Sequence, residues 1–235
     1  LDSYQKLFDP VYVKVFGQSM WLAFLTTVFT LLIGYPFAYF TSKLPPKWRS
    51  LVLLLIIVPF WTNSLVRIYG WMILLRSQGV INSLLIMLGI IDSPLKLLYN
   101  FGAVLVGMVY ALIPFMILSV YNSIAKLDPA LVEASRDLGA SRWRAFWTVT
   151  VPMTRAGIMA GCVLVFIPSV GLFFVSDLLG GAKTMLLGNL IKNELLTARN
   201  WPMGAALSIV MMTMTMIVIG IYKKVSGEKS LEGIV

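Results

Sequence analysis

From Phe16 to Phe40 the chain carries not one charged side chain, and that run decides most of what can follow. A helix crosses the hydrocarbon of a bilayer with about 20 apolar residues. In that medium each backbone N–H and C=O must be paired inside the protein, which a single helix achieves and a lone strand does not. Four further runs have comparable length: Leu51 to Leu75, Phe101 to Ile124, Ala156 to Leu178 and Met203 to Tyr222. The expected fold is all-α, a polytopic transmembrane helix bundle of about five spans in a single domain over residues 1–235. Val80 to Ile91 is apolar but too short to cross, and reads as an interfacial or re-entrant helix.

Charge supports this reading. Only 12% of residues are charged and the mean hydropathy is +0.87, whereas soluble domains carry about 25% charged residues. The net charge of +9 is spread between apolar runs and forms no continuous basic face, so nucleic acid is not expected as a partner. There is no histidine, and the one cysteine, Cys162, lies within an apolar run as a small packing residue. An internal disulfide, a His/Cys metal site and Cys–His catalysis are thereby excluded, and no catalytic set or metal site is expected.

The positive-inside rule orients the spans. Lys43, Lys47 and Arg49 follow the first run; Lys126, Arg136, Arg142, Arg144 and Arg155 surround the third connection; Lys223, Lys224 and Lys229 follow the last. These regions are expected to be cytoplasmic, with the C-terminus. The opposite connections hold Arg76, Lys96, Lys183, Lys192 and Arg199. Five crossings then leave the polar residues 1–15 outside. Because the sequence begins with Leu, a further N-terminal helix, and so six spans in the native chain, is expected upstream.

Breakers lie within the runs: Gly34 and Pro36, Pro59, Pro114, and Pro168 with Gly171. Most read as kinks. Pro168 and Gly171 fall together in the fourth run, where unwound backbone is tolerable if it lines a cavity, and are the expected hinge or gate. Gly157 and Gly161 form a small-xxx-small pair suited to close helix packing.

The longest cytoplasmic connection is LDPALVEASRDLGASRWRAFWTVTVP, residues 127–152. Asp128 is a good N-cap, Pro129 suits the first helical position, and Gly139 can take the left-handed conformation that ends a helix. A second helix can start at Ser141. Glu133-Ala134-Ser135, then Gly139, then Val149-Thr150-Val151-Pro152 resemble the EAA loop of ATP-binding-cassette (ABC) importer permeases, written EAA, three residues, Gly, nine residues, I-x-L-P. The spacing matches throughout; Ser135 stands for the second Ala, and Val149 and Val151 for Ile and Leu. The resemblance implies a coupling helix that docks in a groove of a separate ATPase. Glu133, Ala134, Ser135 and Gly139 would carry the docking, with Arg136 and Asp137 as polar contacts.

A narrower resemblance rests on IVPFWTNSLVRIYG (Ile57 to Gly70), GCVLVFIP (Gly161 to Pro168), FFVSDLLGG (Phe173 to Gly181) and NWPMGA (Asn200 to Ala205). These look like the permeases of spermidine/putrescine importers. That implies a bacterial inner-membrane location, residues 1–15 on the periplasmic side, and polyamine as cargo. The implied partners are a second permease, a homodimeric ATPase that binds ATP and Mg, and a periplasmic substrate-binding protein. No cofactor and no enzymatic activity are expected in this chain.

Asp177 is the one acidic side chain in the spans, and an intramembrane carboxylate is a functional hypothesis by default. Polyammonium needs acceptors and aromatic faces, which Asp177, Trp61, Asn63, Tyr69, Tyr110, Phe173 and Phe174 could supply as a substrate path. The alternatives are that Asp177 caps a helix or pairs with Arg67 or Lys183, that the aromatics form an interfacial belt, and that Arg67 holds a carboxylate or a helix end. Gly180 to Thr184 imitates part of a phosphate loop without its spacing. Another small solute, such as an anion held by Arg67, or an ion-driven secondary transporter are the rival functions.

Overall fold

A computed structural model describes residues 9–181 and 184–226 of the chain, and among these every regular element is helical. Helix α1 (Pro10–Ser42) starts where Asp9 accepts from the Val11 N–H at 3.4 Å and Pro10 takes the first helical position. It therefore begins inside the stretch 1–15 expected to be an outer polar segment, because a local cap outweighs polar composition. Residues 1–8 of that stretch lie outside the described residues. At about 50 Å, α1 is longer than the hydrocarbon is thick.

The run Leu51 to Leu75 is not one helix. Helix α2 (Pro46–Ile57) passes into a 3-10 turn at Val58–Trp61, Thr62 is extended, and α3 (Ser64–Leu75) begins afresh under Asn63, whose Oδ1 accepts from the Leu65 N–H at 2.8 Å. Pro59 cannot donate to the helix ladder, and Asn63 offers the chain a new start four residues later. The short helix expected over Val80 to Ile91 is present as α4 (Val80–Met87).

Helix α5 (Phe101–Ala125) contains Pro114 without breaking, as α1 contains Pro36. The connection 129–153 forms α6 (Pro129–Asp137), α7 (Arg142–Ala145), a π turn at Phe146–Thr150 and α8 (Val151–Met153). At Thr154 the chain bends by 64° into α9 (Arg155–Gly171). After Leu172 it resumes as α10 (Phe173–Val175) and a π turn, Ser176–Gly180. A short α11 (Leu187–Lys192), a π turn at Asn193–Thr197 and the long α12 (Trp201–Ser226) complete the chain. Among the described residues, four stretches are long and apolar enough to cross a membrane, Pro10–Ser42, Ser64–Met87, Phe101–Ala125 and Trp201–Lys224, and the bent pair at Thr154 makes a fifth. The number is the expected one, but the second stretch runs through α3 and α4 and so takes in the segment from Val80 expected to be too short, while the first half of the Leu51 to Leu75 run, in α2, lies outside it.

The centre is the mutual packing of α1, α5 and α9, around buried Tyr35, Ala38, Leu112, Met116, Val120 and Val165. Gly157 and Gly161 make this possible, as the small-xxx-small pattern predicts. A Cβ on Gly157 would lie 2.4 Å from the Ser123 Cβ, and one on Gly161 2.6 Å from the Met116 Sδ, so α5 and α9 touch backbone to side chain. Ser119 Oγ donates to the Gly157 carbonyl at 2.9 Å across the same contact. Helix α12 packs on α9 and α11. Large apolar side chains such as Leu32, Phe40, Val66, Met212 and Met216 face outward, as they do where the solvent is lipid or a partner helix and not water.

Candidate functional site

The 127–152 connection folds as its capping residues predict. Asp128 Oδ1 accepts from the Ala130 N–H at 2.9 Å, Pro129 opens α6, and Ser141 Oγ accepts from the Arg144 N–H at 3.2 Å to open α7. Between them Gly139 sits at φ +89°, its N–H bonded to the Arg136 carbonyl at 2.9 Å while the Ala140 N–H reaches back to Ser135 at 3.1 Å. This is a left-handed helix stop that favours glycine. No residue of α6 is buried. Glu133, Ala134, Arg136, Asp137 and Gly139 all face out, beside Leu138 at 90% and Trp143 at 75% exposure. Ser135 differs: it is half-buried and its hydroxyl turns back to the Val132 carbonyl at 2.8 Å. The hairpin thus presents one outward surface with a carboxylate near its middle and apolar groups at its turn.

The second candidate region surrounds the interruption of the fourth span. Pro168 stays within α9, and the ladder continues until the Leu172 N–H bonds the Pro168 carbonyl at 3.0 Å. The break falls at Leu172 (φ −73°, ψ 67°), next to Gly171. Asn189 on α11 fills it. Its Nδ2 donates to the Phe173 carbonyl at 3.0 Å and to Asp177 Oδ1 at 2.5 Å, and its Oδ1 accepts from the Leu186 N–H at 3.1 Å. Gly188 permits this approach, since a Cβ there would stand 2.7 Å from the Gly171 carbonyl oxygen. The Leu187 N–H bonds Ser19 Oγ on α1 at 2.8 Å, and Ser176 Oγ bonds the Thr184 carbonyl, so the start of α11 and the chain leading into it are pinned from two sides.

Asp177 is paired. Lys192 Nζ lies 2.5 Å from its Oδ2, the one ion pair among the described residues, and 5.5 Å from the centre of the Phe173 ring. The side chains are partly open, at 29% exposure for Lys192 and 40% for Asp177. The alternative pairing of Asp177 with Arg67 is not what the structure has, and Lys183 lies outside the described residues. Arg67 instead sits 4.9 Å over Phe60 and 5.9 Å over Tyr110, where two ring faces attract its cation. Among the described residues it holds no carboxylate, and its buried Nε has no hydrogen-bond partner.

The expected path residues divide between two grooves. One of about 670 Å³ gathers Trp61, Asn63, Pro168 and Phe174 with Arg67; Tyr110 is not part of its lining and touches it only through Arg67, packing edge-on against Trp71 at 5.4 Å. The other, of about 560 Å³, takes Gly171 and Phe173 with Lys192 and Met211. Tyr69 faces outward, 48% exposed, and lines neither, and Asp177 lines neither itself but meets the second through its partner Lys192. Asn63 already uses its side-chain oxygen to cap α3. Sequence reasoning missed Asn189, and counted Lys192 only as an outer-loop charge. The signal was there in LGNLIK, a buriable amide and a cation three residues apart in a short apolar segment.

A multi-helix membrane module with interrupted apolar runs and an exposed hairpin between two of its long helices is the architecture of a transport permease. The chain belongs to the binding-protein-dependent transport system inner membrane component family, whose pattern matches residues 28–227. It is 50% identical over 226 residues, 96% of this chain and 79% of the relative, to the spermidine/putrescine transport system permease protein PotB of Salmonella typhimurium (strain SL1344). Against the protein of that name from Escherichia coli (strain K12) the figures are 49%, 96% and 82%. A crystal structure of a bacterial ABC transporter that imports the acidic polysaccharide alginate shares the fold, with a TM-score of 0.79 at 17% identity over 97% of this chain and 84% of that one. The MetNI methionine ABC transporter does so more distantly, with a TM-score of 0.65 at 15% identity over 91% and 94%. The chain is therefore an inner-membrane permease component of a bacterial ABC importer.

Proposed function

We propose that this permease carries polyamines of the spermidine/putrescine class, forming the translocation path with a second, PotC-like permease. A PotA-like ATPase dimer, binding ATP and Mg, would dock on the α6–α7 hairpin, and a PotD-like periplasmic protein would deliver the substrate on the opposite side. In this reading the hairpin and the C-terminus are cytoplasmic, as the basic residues around them favour. The observation that carries the cargo is Asp177, the lone acidic side chain of the five apolar runs, just past the Leu172 interruption, holding an ammonium that also lies over the Phe173 ring. Carboxylate plus aromatic face is what an alkylammonium requires. The names of the PotB relatives support the same cargo.

Alternating access then needs a moving part that reaches both ends. ATP closure would displace the hairpin, and the displacement would reach the Gly171–Leu172 interruption through α9. Reconstituted with its partners in proteoliposomes, the importer is expected to take up radiolabelled spermidine when ATP is supplied. Asp177→Asn should lower the initial rate about tenfold, the scale of one lost charge-assisted hydrogen bond, with the complex still assembled. Normal uptake by that variant would remove Asp177 from the path.

A second cargo class draws on one observation, the unpartnered Nε of Arg67 in the groove beside Trp61. A small anion bound there would compete with nothing in the chain. Uptake of a labelled anion, with none of spermidine, would favour it.

A further inference from the structure

The ammonium now resting on Asp177 belongs to the chain itself. A lysine side chain is a flexible four-carbon stem ending in a compact, strongly hydrated ammonium, which is the aminobutyl unit that putrescine and spermidine also present. Its Nζ has every contact such a ligand would seek: Asp177 Oδ2 at 2.5 Å and the Phe173 ring at 5.5 Å, with the other carboxylate oxygen held by Asn189 at 2.5 Å. Building on the polyamine reading above, we infer that Asp177, Asn189 and Phe173 form a primary-alkylammonium subsite, that Lys192 occupies it as a tethered stand-in, and that substrate binds by displacing Lys192.

Three features fit exchange better than a permanent strut. First, both partners of the pair are partly exposed, so water and a second ammonium can reach it. Second, the adjoining groove of about 560 Å³, lined by Phe173, Ile191, Lys192, Leu195 and Met211, can take apolar methylenes, either the released lysine stem or the chain of the incoming amine. Third, the positions of α10 and α11 do not depend on the ion pair, because Asn189 and Ser19 hold them through the Phe173 carbonyl and the Leu187 N–H. Lys192 can leave without the interruption collapsing.

Exchange also solves an electrostatic difficulty. A partly buried carboxylate at the end of an apolar run is costly without a counter-charge. A tethered ammonium keeps Asp177 neutralised whenever the path is empty, and a polyamine end keeps it neutralised when loaded. The net gain on binding is a difference between two similar pairs and is accordingly small. A transport site benefits from this, because cargo must leave as readily as it enters. A tether at high effective concentration sets how much free amine is needed.

The test is equilibrium binding of radiolabelled spermidine to the assembled permease–ATPase complex in nanodiscs, with the binding protein omitted because it would hold the label itself. Removing the competitor with Lys192→Gln should tighten Kd about twofold to fivefold, one plus the closing constant of a partly exposed ion pair. Lys192→Arg should weaken binding, since a guanidinium grips a carboxylate through two parallel bonds. An unchanged or weaker Kd for Lys192→Gln overturns the inference and leaves Lys192 a structural brace. Should that variant fail to assemble, an unchanged or tighter Kd for Lys192→Arg overturns it equally. If wild-type complex binds no spermidine and the proteoliposomes take none up, the polyamine reading falls with it; uptake with either overturning result refutes the displacement alone.

Discussion

Asn189→Ala is the most demanding perturbation of this fold, because one amide serves three groups at a helix break. The side chain is 4% exposed. Truncation removes the acceptor of the Leu186 N–H and the donor of the Phe173 carbonyl and Asp177. The buried Leu186 N–H is then unpaired at about 1–3 kcal/mol, whereas the Phe173 carbonyl keeps the Ser176 N–H; with the bond to the part-exposed Asp177 carboxylate also lost, the total is about 2–4 kcal/mol. Asn63→Ala is the matched comparison: the same substitution, at an exposed N-cap with a single bond to the Leu65 N–H, where truncation costs about 1 kcal/mol. Thermal inactivation of the purified, assembled complex in nanodiscs, read as loss of the monodisperse species, should place Asn189→Ala well below Asn63→Ala. Equal shifts, or a larger one for Asn63→Ala, would show that the Leu172 interruption is held by something other than this amide, and the account of the site would fail with it.

Two predictions concern the hairpin. Glu133→Lys reverses the charge on the outward surface of α6, and should cut ATP-driven uptake at least tenfold, the scale of a like-charge clash at an interface. Copurification should show the spans intact, and undiminished uptake with normal ATPase stimulation would count against a docking role. Gly139→Val has open space around it but must adopt φ +89°, a strain of about 1–2 kcal/mol. Its substrate-stimulated ATPase should fall below that of Gly139→Asn, which tolerates the left-handed region, and equal activities would sink the turn argument.

What could be read from the sequence was whatever is encoded locally. Asp128, Pro129, Gly139 and Ser141 cap and turn the hairpin within a few residues of themselves, so its form followed from their order. The apolar runs likewise gave the number of crossings. The interruption of the second span escaped because Pro59 alone reads as a kink, and only Asn63 capping a new helix makes it a break. The centre of the candidate site escaped for a different reason. Asn189 and Lys192 meet Asp177 across 12 and 15 residues of intervening chain, and the Leu187–Ser19 bond that seats α11 spans 168. No periodicity reports such contacts, and α11 is too short to announce itself as a helix.

The two candidate regions are joined by one element. The hairpin turns by 64° at Thr154 directly into α9, whose 17 residues reach about 25 Å and end at the Leu172 interruption beside Asp177. Along that length α9 lies against α5 at Gly157 and Gly161, where added carbons would collide, so the helix cannot shorten or bulge there without disturbing its neighbour. Thr154 fixes the near end: its hydroxyl bonds the Thr150 carbonyl at 2.8 Å and meets the Tyr35 hydroxyl of α1 at 3.0 Å. A rigid rod clamped along its middle passes on a push at one end as a shift or tilt at the other. The weakest point of the hydrogen-bonded ladder beyond Thr154 on this route is Leu172, where the helix stops and the Asn189 side-chain amide takes over. Movement delivered by the hairpin would therefore concentrate at the residues that hold the Asp177–Lys192 pair, which is where a change in affinity for an ammonium ion has to be made.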